Sequence, residues 1–248
     1  MTNFPITPLR IAIAQLTPKD GDIAGNVSIV TSMIKQAEKE KTDLIVFPEK
    51  FLTGYVPELI EKDTDVHTFQ PNDKRLEPIR RCCKENHMYA IIGAPTQNQQ
   101  KLYVSSIVIN PKGEEQLIYN KTHLYPTETQ LFQSDDKQAI LEIKGWKIGI
   151  GICYDSNFPK HAEHLAKAGC QVYLVSALFS KGNGYLESRT WFPARAKDNF
   201  IFTVMCNFIG KTGAWDTCGS SAVWNPKGDI ISEASAEKSE LLVVDLKG

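Results

Sequence analysis

Apolar residues follow two rhythms along this chain. Residues 10–16 form a β-like run, and residues 43–47 form a second, nearly continuous apolar strand. Between them, residues 25–41 place Val27, Val30, Ile34 and Ala37 at helical spacing, with Asn26 as the expected N-cap. Residues 72–87 repeat that spacing through Leu76, Ile79 and Cys83, and residues 89–94 return to strand. Three hairpins are expected after that. The first joins 102–110 to 114–120 around Pro111-Lys112-Gly113, and the second joins 139–143 to 146–152 around Lys144-Gly145. The third joins 220–224 to 229–234 around Asn225-Pro226-Lys227-Gly228. Residues 158–168 read as a helix stopped by Gly169, 171–176 as a strand, 187–199 as a helix and 200–208 as a strand. Residues 241–246 form the last strand.

Helix–strand units thus alternate with hairpins, and no linker, repeat or low-complexity break divides them. The expected architecture is a single α/β domain over residues 1–248. Stretches 44–47 and 172–175 are apolar at nearly every position, so both faces of those strands need cover. Two packed sheets with helices outside satisfy that need.

Composition narrows the class. A chain of 248 residues, 42% hydrophobic and 23% charged, is long enough for a substantial core and ordinary for a globular protein. The net charge of -1 points to neither nucleic acid nor an anionic membrane surface. No apolar run reaches the roughly 18 residues that span a bilayer, and the first residues lack a signal-peptide pattern. The six cysteines include no C-x-x-C pair, which favours reduced thiols and a cytoplasmic location over a disulfide frame. On that reading the sequons at Asn26 and Asn120 are chance matches.

Three polar residues each follow an apolar strand: Glu49, Lys121 and Cys153. Strand ends gather at one rim of an α/β sheet, where sites form. A lone cysteine ending a core strand is ordinarily a buried apolar residue. Glu49 alone fits a solvated turn, and Lys121 alone a surface strand end. Together they suit acyl transfer: a thiolate attacks a carbonyl, a carboxylate moves protons, and an ammonium steadies developing negative charge. The backbone N–H of Tyr154 is a candidate second donor to the oxyanion.

The flanking residues resemble the nitrilase, or carbon–nitrogen hydrolase, superfamily. Phe47-Pro48-Glu49-Lys50-Phe51-Leu52-Thr53-Gly54-Tyr55 looks like its glutamate motif, and Tyr119-Asn120-Lys121-Thr122-His123-Leu124 like its lysine motif. Gly151-Ile152-Cys153-Tyr154-Asp155, with Phe158-Pro159, looks like its cysteine motif. The likeness runs from Ile11 to Leu246 and includes Arg195, Asp198 and Asn199 of a later signature. It implies a four-layer αββα sandwich and a Glu49–Lys121–Cys153 triad. It also implies hydrolysis of a non-peptide C–N bond through a thioester, with no metal or organic cofactor, and a homodimer or larger homo-oligomer. The lack of a long C-terminal extension favours the simple dimer. Glu128 occupies the place of the family's second glutamate and is assigned to bonding Lys121 or orienting substrate. Tyr55 and His123 are assigned supporting or substrate-binding roles.

Two departures matter. Lys160 and Glu163 exchange the signs of a charge pair that many members carry, and an i,i+3 attraction survives such an exchange. Tyr154-Asp155 follows the nucleophile where nitrile-cleaving members tend to have Trp-Glu, so the resemblance is to amidase and carbamoyl-hydrolase branches. The leading substrate is a small linear amide, with water as co-substrate. N-carbamoyl amide hydrolysis and a silent binding or scaffold protein are the alternatives. His161 and His164, at i,i+3 without further ligands, read as exposed helix histidines rather than a metal site. Residues 181–184 read as a flexible loop at the rim, and Trp191, Phe192 and Trp215 as pocket, core or dimer-packing residues.

Overall fold

The computed structural model describes residues 4–248. The first part of the chain forms β1 (Leu9–Gln15), α1 (Ile23–Lys39), β2 (Leu44–Val46), α2 (Pro57–Lys62), α3 (Thr64–His67) and α4 (Glu77–Glu85). The long hairpin of β3 (Tyr89–Asn98) and β4 (Lys101–Ile109) follows, then β5 (Glu115–Asn120). The second part forms β6 (Ile140–Ile143), β7 (Trp146–Ile152), α5 (Pro159–Lys167), β8 (Val172–Ser176), α6 (Asn183–Asn199) and β9 (Phe202–Cys206). It closes with β10 (Ile209–Thr212), β11 (Trp215–Cys218), β12 (Ala222–Trp224), β13 (Ile230–Glu233) and β14 (Glu240–Leu246).

Two six-stranded sheets result, in the orders β14-β1-β2-β3-β4-β5 and β13-β12-β9-β8-β7-β6. Strands β1, β2 and β3 are parallel, as are β7, β8 and β9. Two antiparallel steps, β3 to β4 and β4 to β5, return β5 to the direction of β2. The C-terminal ends of β2 and β5 therefore lie on one rim.

Alternation along each strand builds the layers. Ile11 and Ile13 of β1 pack between the sheets with Ile148, Ile150 and Val204. Ala12 and Ala14 of the same strand pack outward with Val30 and Ile34 of α1 and Ile79 of α4. On the other sheet, Tyr173 and Val175 pack against Leu165 of α5 and Phe192 and Ala196 of α6. The order is helix, sheet, sheet, helix. Gly151 of β7 follows from this packing, because a Cβ there would lie 2.6 Å from the Tyr173 hydroxyl.

The two rims meet. Ser176 Oγ at the end of β8 donates to the Phe47 carbonyl at 2.8 Å, and Cys206 Sγ at the end of β9 reaches the Val46 carbonyl at 3.3 Å. The ends of β2, β8 and β9 are thereby held together.

Local readings shift in several places. Asp22, not Asn26, caps α1, accepting from Gly25 N. Asn26 lies one turn inside, fully buried, and its amide binds Lys19 O, Lys19 N and Leu52 O. It satisfies loop backbone that would otherwise be buried unpaired. Helix α6 starts at Asn183, so most of the expected 181–184 loop is the helix's approach and first turn. Cys170 lies just before β8. The short polar α2 and α3 and the β10–β11 hairpin carried no periodic signal. All six cysteines are free thiols. Among the described residues, no helix is long and apolar enough to cross a membrane.

Candidate active site

Glu49 sits in the loop leaving β2, wholly buried. The loop lies directly on β3. A Cβ on Gly93 would come within 2.2 Å of the Pro48 carbonyl and 2.5 Å of Lys50 N, so only glycine permits this approach. Lys50 itself takes a left-handed backbone, φ 51°.

Lys121 follows β5, anchored by its N–H to the Val104 carbonyl at 2.8 Å. Its ammonium is fully buried and donates to Glu49 Oε1 and to Glu128 Oε2, each at 2.7 Å. Glu128 Oε1 accepts in turn from Lys50 Nζ at 3.0 Å and from the Tyr55 hydroxyl at 2.7 Å. Lys50 Nζ also lies 3.3 Å from the centre of the Tyr55 ring. The order Glu49, Lys121, Glu128, Lys50 alternates in sign and sums to zero. Each buried charge thus has a partner, without which it would cost several kcal/mol.

The titration behaviour follows from this line of charges. Burial raises Glu49, with Lys121 pulling it down and Glu128 pushing it up. Burial would lower Lys121, but Glu128 and Glu49 outweigh it and hold the ammonium well above the usual lysine range. Burial would raise Glu128, but Lys121 and Lys50 reverse the sign and hold it ionised. Glu49 is thus the carboxyl of this line whose proton is most easily gained.

Cys153 ends β7 with φ 41°, a left-handed turn that a non-glycine residue adopts at a cost of about 1–3 kcal/mol. Polar ties hold that turn. Asp155 accepts from Ile152 N at 2.9 Å, Ser156 Oγ donates to the Cys153 carbonyl at 2.7 Å, and Arg195 donates to the Ser156 and Asn157 carbonyls, each at 3.0 Å. Cys153 Sγ lies 3.3 Å from the Leu178 carbonyl. Burial pushes the thiol up, the Glu49 carboxylate adds to that, and Lys121 opposes it. The resting nucleophile candidate is a thiol, so it needs a base.

A cavity of about 190 Å³ opens beside these groups, with Glu49 and Cys153 both in its wall. Glu49 Oε2 is buried and has no hydrogen-bond partner. Lys121 and Glu128 stand behind the wall. Tyr55 and Tyr154 line the cavity. Tyr154 is the second residue of the 3-10 turn Cys153–Asn157, where first-turn N–H groups lack intrahelical acceptors. His123 is not in the wall. Its ring stacks on Phe158 at 3.8 Å, and its backbone N–H and Nδ1 reach Asp155 Oδ1 at 2.8 and 3.1 Å. Its link to Cys153 runs through Asp155.

Sequence reasoning passed over Lys50, Asp155 and His161 as site residues. His161 is buried, not exposed: Nε2 lies 2.8 Å from the Tyr119 hydroxyl and Nδ1 3.0 Å from the Tyr173 hydroxyl. The helix α5 packs that face on β7 and β8, and two hydroxyls make the burial tolerable. His164, one turn on, was the better fit to the expectation. The Lys160–Glu163 pair does not form. Glu163 bonds Lys167 instead, at i,i+4 with the glutamate N-terminal, the better order for such a pair. Of the loop read at 181–184, Asn183 and Gly184 line the cavity. Trp191 and Trp215 line it as well, whereas Phe192 is core. Among the described residues, no group of three or more His, Cys, Asp or Glu side chains is placed to hold a metal ion.

Known proteins match this chain along nearly its whole length. The family model for carbon-nitrogen hydrolase matches residues 10–247. An (R)-stereoselective amidase from a Pseudomonas species is 31% identical over 239 residues, covering 93% of this chain and 82% of its own. A nitrilase from Pyrococcus abyssi is 27% identical over 239 residues, covering 96% and 89%. An amidase from Nesterenkonia sp. AN1, as its cysteine-to-alanine mutant in complex with butyramide, matches with a TM-score of 0.87 at 25% identity, covering 96% of this chain and 91% of its own. A glutamate-to-leucine mutant of that amidase carries the acetamide moiety of fluoroacetamide covalently at its active-site cysteine, and matches with a TM-score of 0.88 at 25% identity, covering 96% and 90%. The layered α/β sandwich is thus shared across nearly the whole chain.

Proposed function

Since this chain belongs to the carbon–nitrogen hydrolase family and its amidase-like branch, we propose that it hydrolyses a small linear amide to ammonia and a carboxylic acid through a Cys153 thioester. One observation carries the assignment of roles. Glu49 lines the same cavity wall as Cys153, with one oxygen fixed by Lys121 and the other buried without a hydrogen-bond partner.

Glu49 takes the Cys153 proton as Sγ bonds the amide carbon. Lys121 holds positive charge beside the developing oxyanion, and the Tyr154 N–H donates to it. Glu49 passes its proton to the amide nitrogen, the C–N bond breaks and ammonia leaves. Water then attacks the thioester while Glu49 takes its proton. The carboxylic acid departs and the thiol is restored. A carboxyl with a raised pKa suits this two-way role, because it both accepts and returns a proton readily. Glu128, Tyr55 and Lys50 act behind it by holding Lys121 ionised and in place. His123 acts through Asp155 on the turn that presents Cys153.

The cavity of about 190 Å³ is smaller than the ~300–1,000 Å³ pockets that take drug-sized ligands, which supports a short acyl group. The cytoplasm suits the free thiols. A homodimer suits the exposed Tyr185 and Leu186 on α6, and sedimentation velocity tests it.

Ammonia release from a panel of linear amides, N-carbamoyl amino acids and nitriles tests the reading. Amides are expected to turn over and nitriles are not. A nitrile preference overturns the amidase assignment, a carbamoyl preference replaces the substrate, and inertness toward all three favours a binding protein.

A further inference from the structure

The far end of the cavity has a chemistry of its own. Asn183, Glu187 and Trp191 lie at i, i+4 and i+8 along α6, one stripe of the helix, and all three line the cavity. Facing them are Tyr125, Tyr154 and Trp215. These rings touch in sequence: Trp215 with Tyr125 at 6.1 Å, Tyr125 with Tyr154 at 5.3 Å, and Tyr154 with Trp191 at 6.3 Å between centroids. Interplanar angles of 78°, 86° and 63° mean that neighbours stand edge to face. A cation seated over the face of any one of these rings is attracted by that ring's quadrupole.

Charge points the same way. Glu187 is exposed, lines the cavity and has no ion-pair partner among the described residues. No lysine or arginine lines the cavity. Lys181, six residues before Glu187, is tied to Asp216 at 3.0 Å. Lys50 and Lys121 are balanced by Glu128 and Glu49. The line of four charges behind Cys153 is neutral, so Glu187 leaves the cavity one negative charge in excess. An acyl chain ending in a carboxylate would meet that charge with no counterion.

The geometry points to Glu187 and the arc of Tyr125, Tyr154, Trp191 and Trp215 as a subsite for a cationic end group, so that the substrate is a primary amide whose short acyl chain bears a protonated amine. This rests on the proposed amide hydrolysis at Cys153 and adds the substrate class. The rings supply cation–π attraction and Glu187 an ion pair at the mouth, while Asn183 adds an uncharged acceptor.

The test compares γ-aminobutyramide with its neutral isostere pentanamide and with anionic glutaramate, at pH 7. It is run as hydrolysis by the wild-type enzyme and as calorimetric binding to Cys153→Ala. The cationic amide is expected to exceed pentanamide roughly tenfold in kcat/KM and in affinity, with glutaramate poorest. In Glu187→Gln the ratio of cationic to neutral kcat/KM should fall toward one, and in Trp191→Leu it should fall partway. Equal or better hydrolysis of pentanamide, or an unchanged ratio in Glu187→Gln, overturns the subsite and leaves amide hydrolysis standing. Preferential binding of the cationic amide without hydrolysis of any amide overturns the reaction and leaves the subsite standing. Failure to bind or cleave any of the three overturns both.

Discussion

Lys50 Nζ lies 3.0 Å from Glu128 Oε1, and both side chains are almost wholly buried. They are 78 residues apart in the chain. The pair closes a line of four charges that leaves no net charge behind the cavity wall. Lys50→Met removes one positive end of that line. Glu128 keeps Lys121, so the cost is that of one charged hydrogen bond, about 2 kcal/mol. That corresponds to a drop of ~4–8 °C in Tm for a chain of this size. The unbalanced negative charge also favours protonated Glu49, so the acid limb of the pH–kcat/KM profile should move to higher pH. An unmoved limb would show that Lys50 is structural only.

Glu49→Gln keeps the shape and removes the proposed base. Lys121 retains Glu128 as its partner, so the variant should fold. Hydrolysis is expected to fall by ~10²–10⁴-fold. Alkylation of Cys153 by iodoacetamide should slow in the same variant, because its thiol proton has no acceptor. Mapping the modified cysteines checks this, with Cys82 and Cys218 as internal references. If wild-type Cys153 reacts no faster than those two, the activated-nucleophile role is wrong.

Gly93→Ala tests whether the β3 surface positions Glu49. The added Cβ meets the backbone of Pro48 and Lys50, which has no side-chain freedom with which to yield. Moving the loop separates Glu49 from Lys121. Overpacking of this kind costs about 1–3 kcal/mol. Activity should fall much further than stability, and a protein that keeps wild-type kcat with a lowered Tm would refute the positioning argument.

His161 predicts a pH dependence of stability. Burial holds its pKa below the ordinary 6.5, with Asp155 pulling the other way. Below pH 6.5 the unfolded chain binds a proton that the folded chain refuses, so stability rises with pH through this range. The contribution is fully present above 6.5 and is lost as pH falls toward the folded value. Thermal unfolding between pH 7.5 and 5.5, read as roughly the slope of stability with pH, should be flatter in His161→Gln than in wild type. Parallel slopes would assign the acid sensitivity to other groups.

Legibility in the sequence followed the physics of each element. The 3.6-residue spacing in α1 and the alternation in β1 are dictated by which side of an element is dry, so both could be read directly. Hairpins around Gly113, Gly145 and Gly228 were legible because a tight turn demands particular residues. The segments 57–67 and 209–218 were not, because they are short and take their structure from the loops they pack on. Asn26 looked like a cap because its residue type suits one. Its burial depends on the Glu49 loop crossing above it, which local sequence does not encode.

Glu49, Lys121 and Cys153 can be placed at strand ends from periodicity and turn residues alone, because these mark where each strand stops. Their surroundings come from the packing of distant elements. Stacking the rims of two sheets set Lys50 against Glu128, hid His161 between Tyr119 and Tyr173, and turned the Asn183–Glu187–Trp191 stripe toward the cavity. The reason is that periodicity reports which face of an element is buried, whereas the partner of a buried polar group is fixed by how distant elements are packed. For Lys50 and for Glu187, partner and neighbours lie far along the chain or are not there, and both facts become visible only in three dimensions.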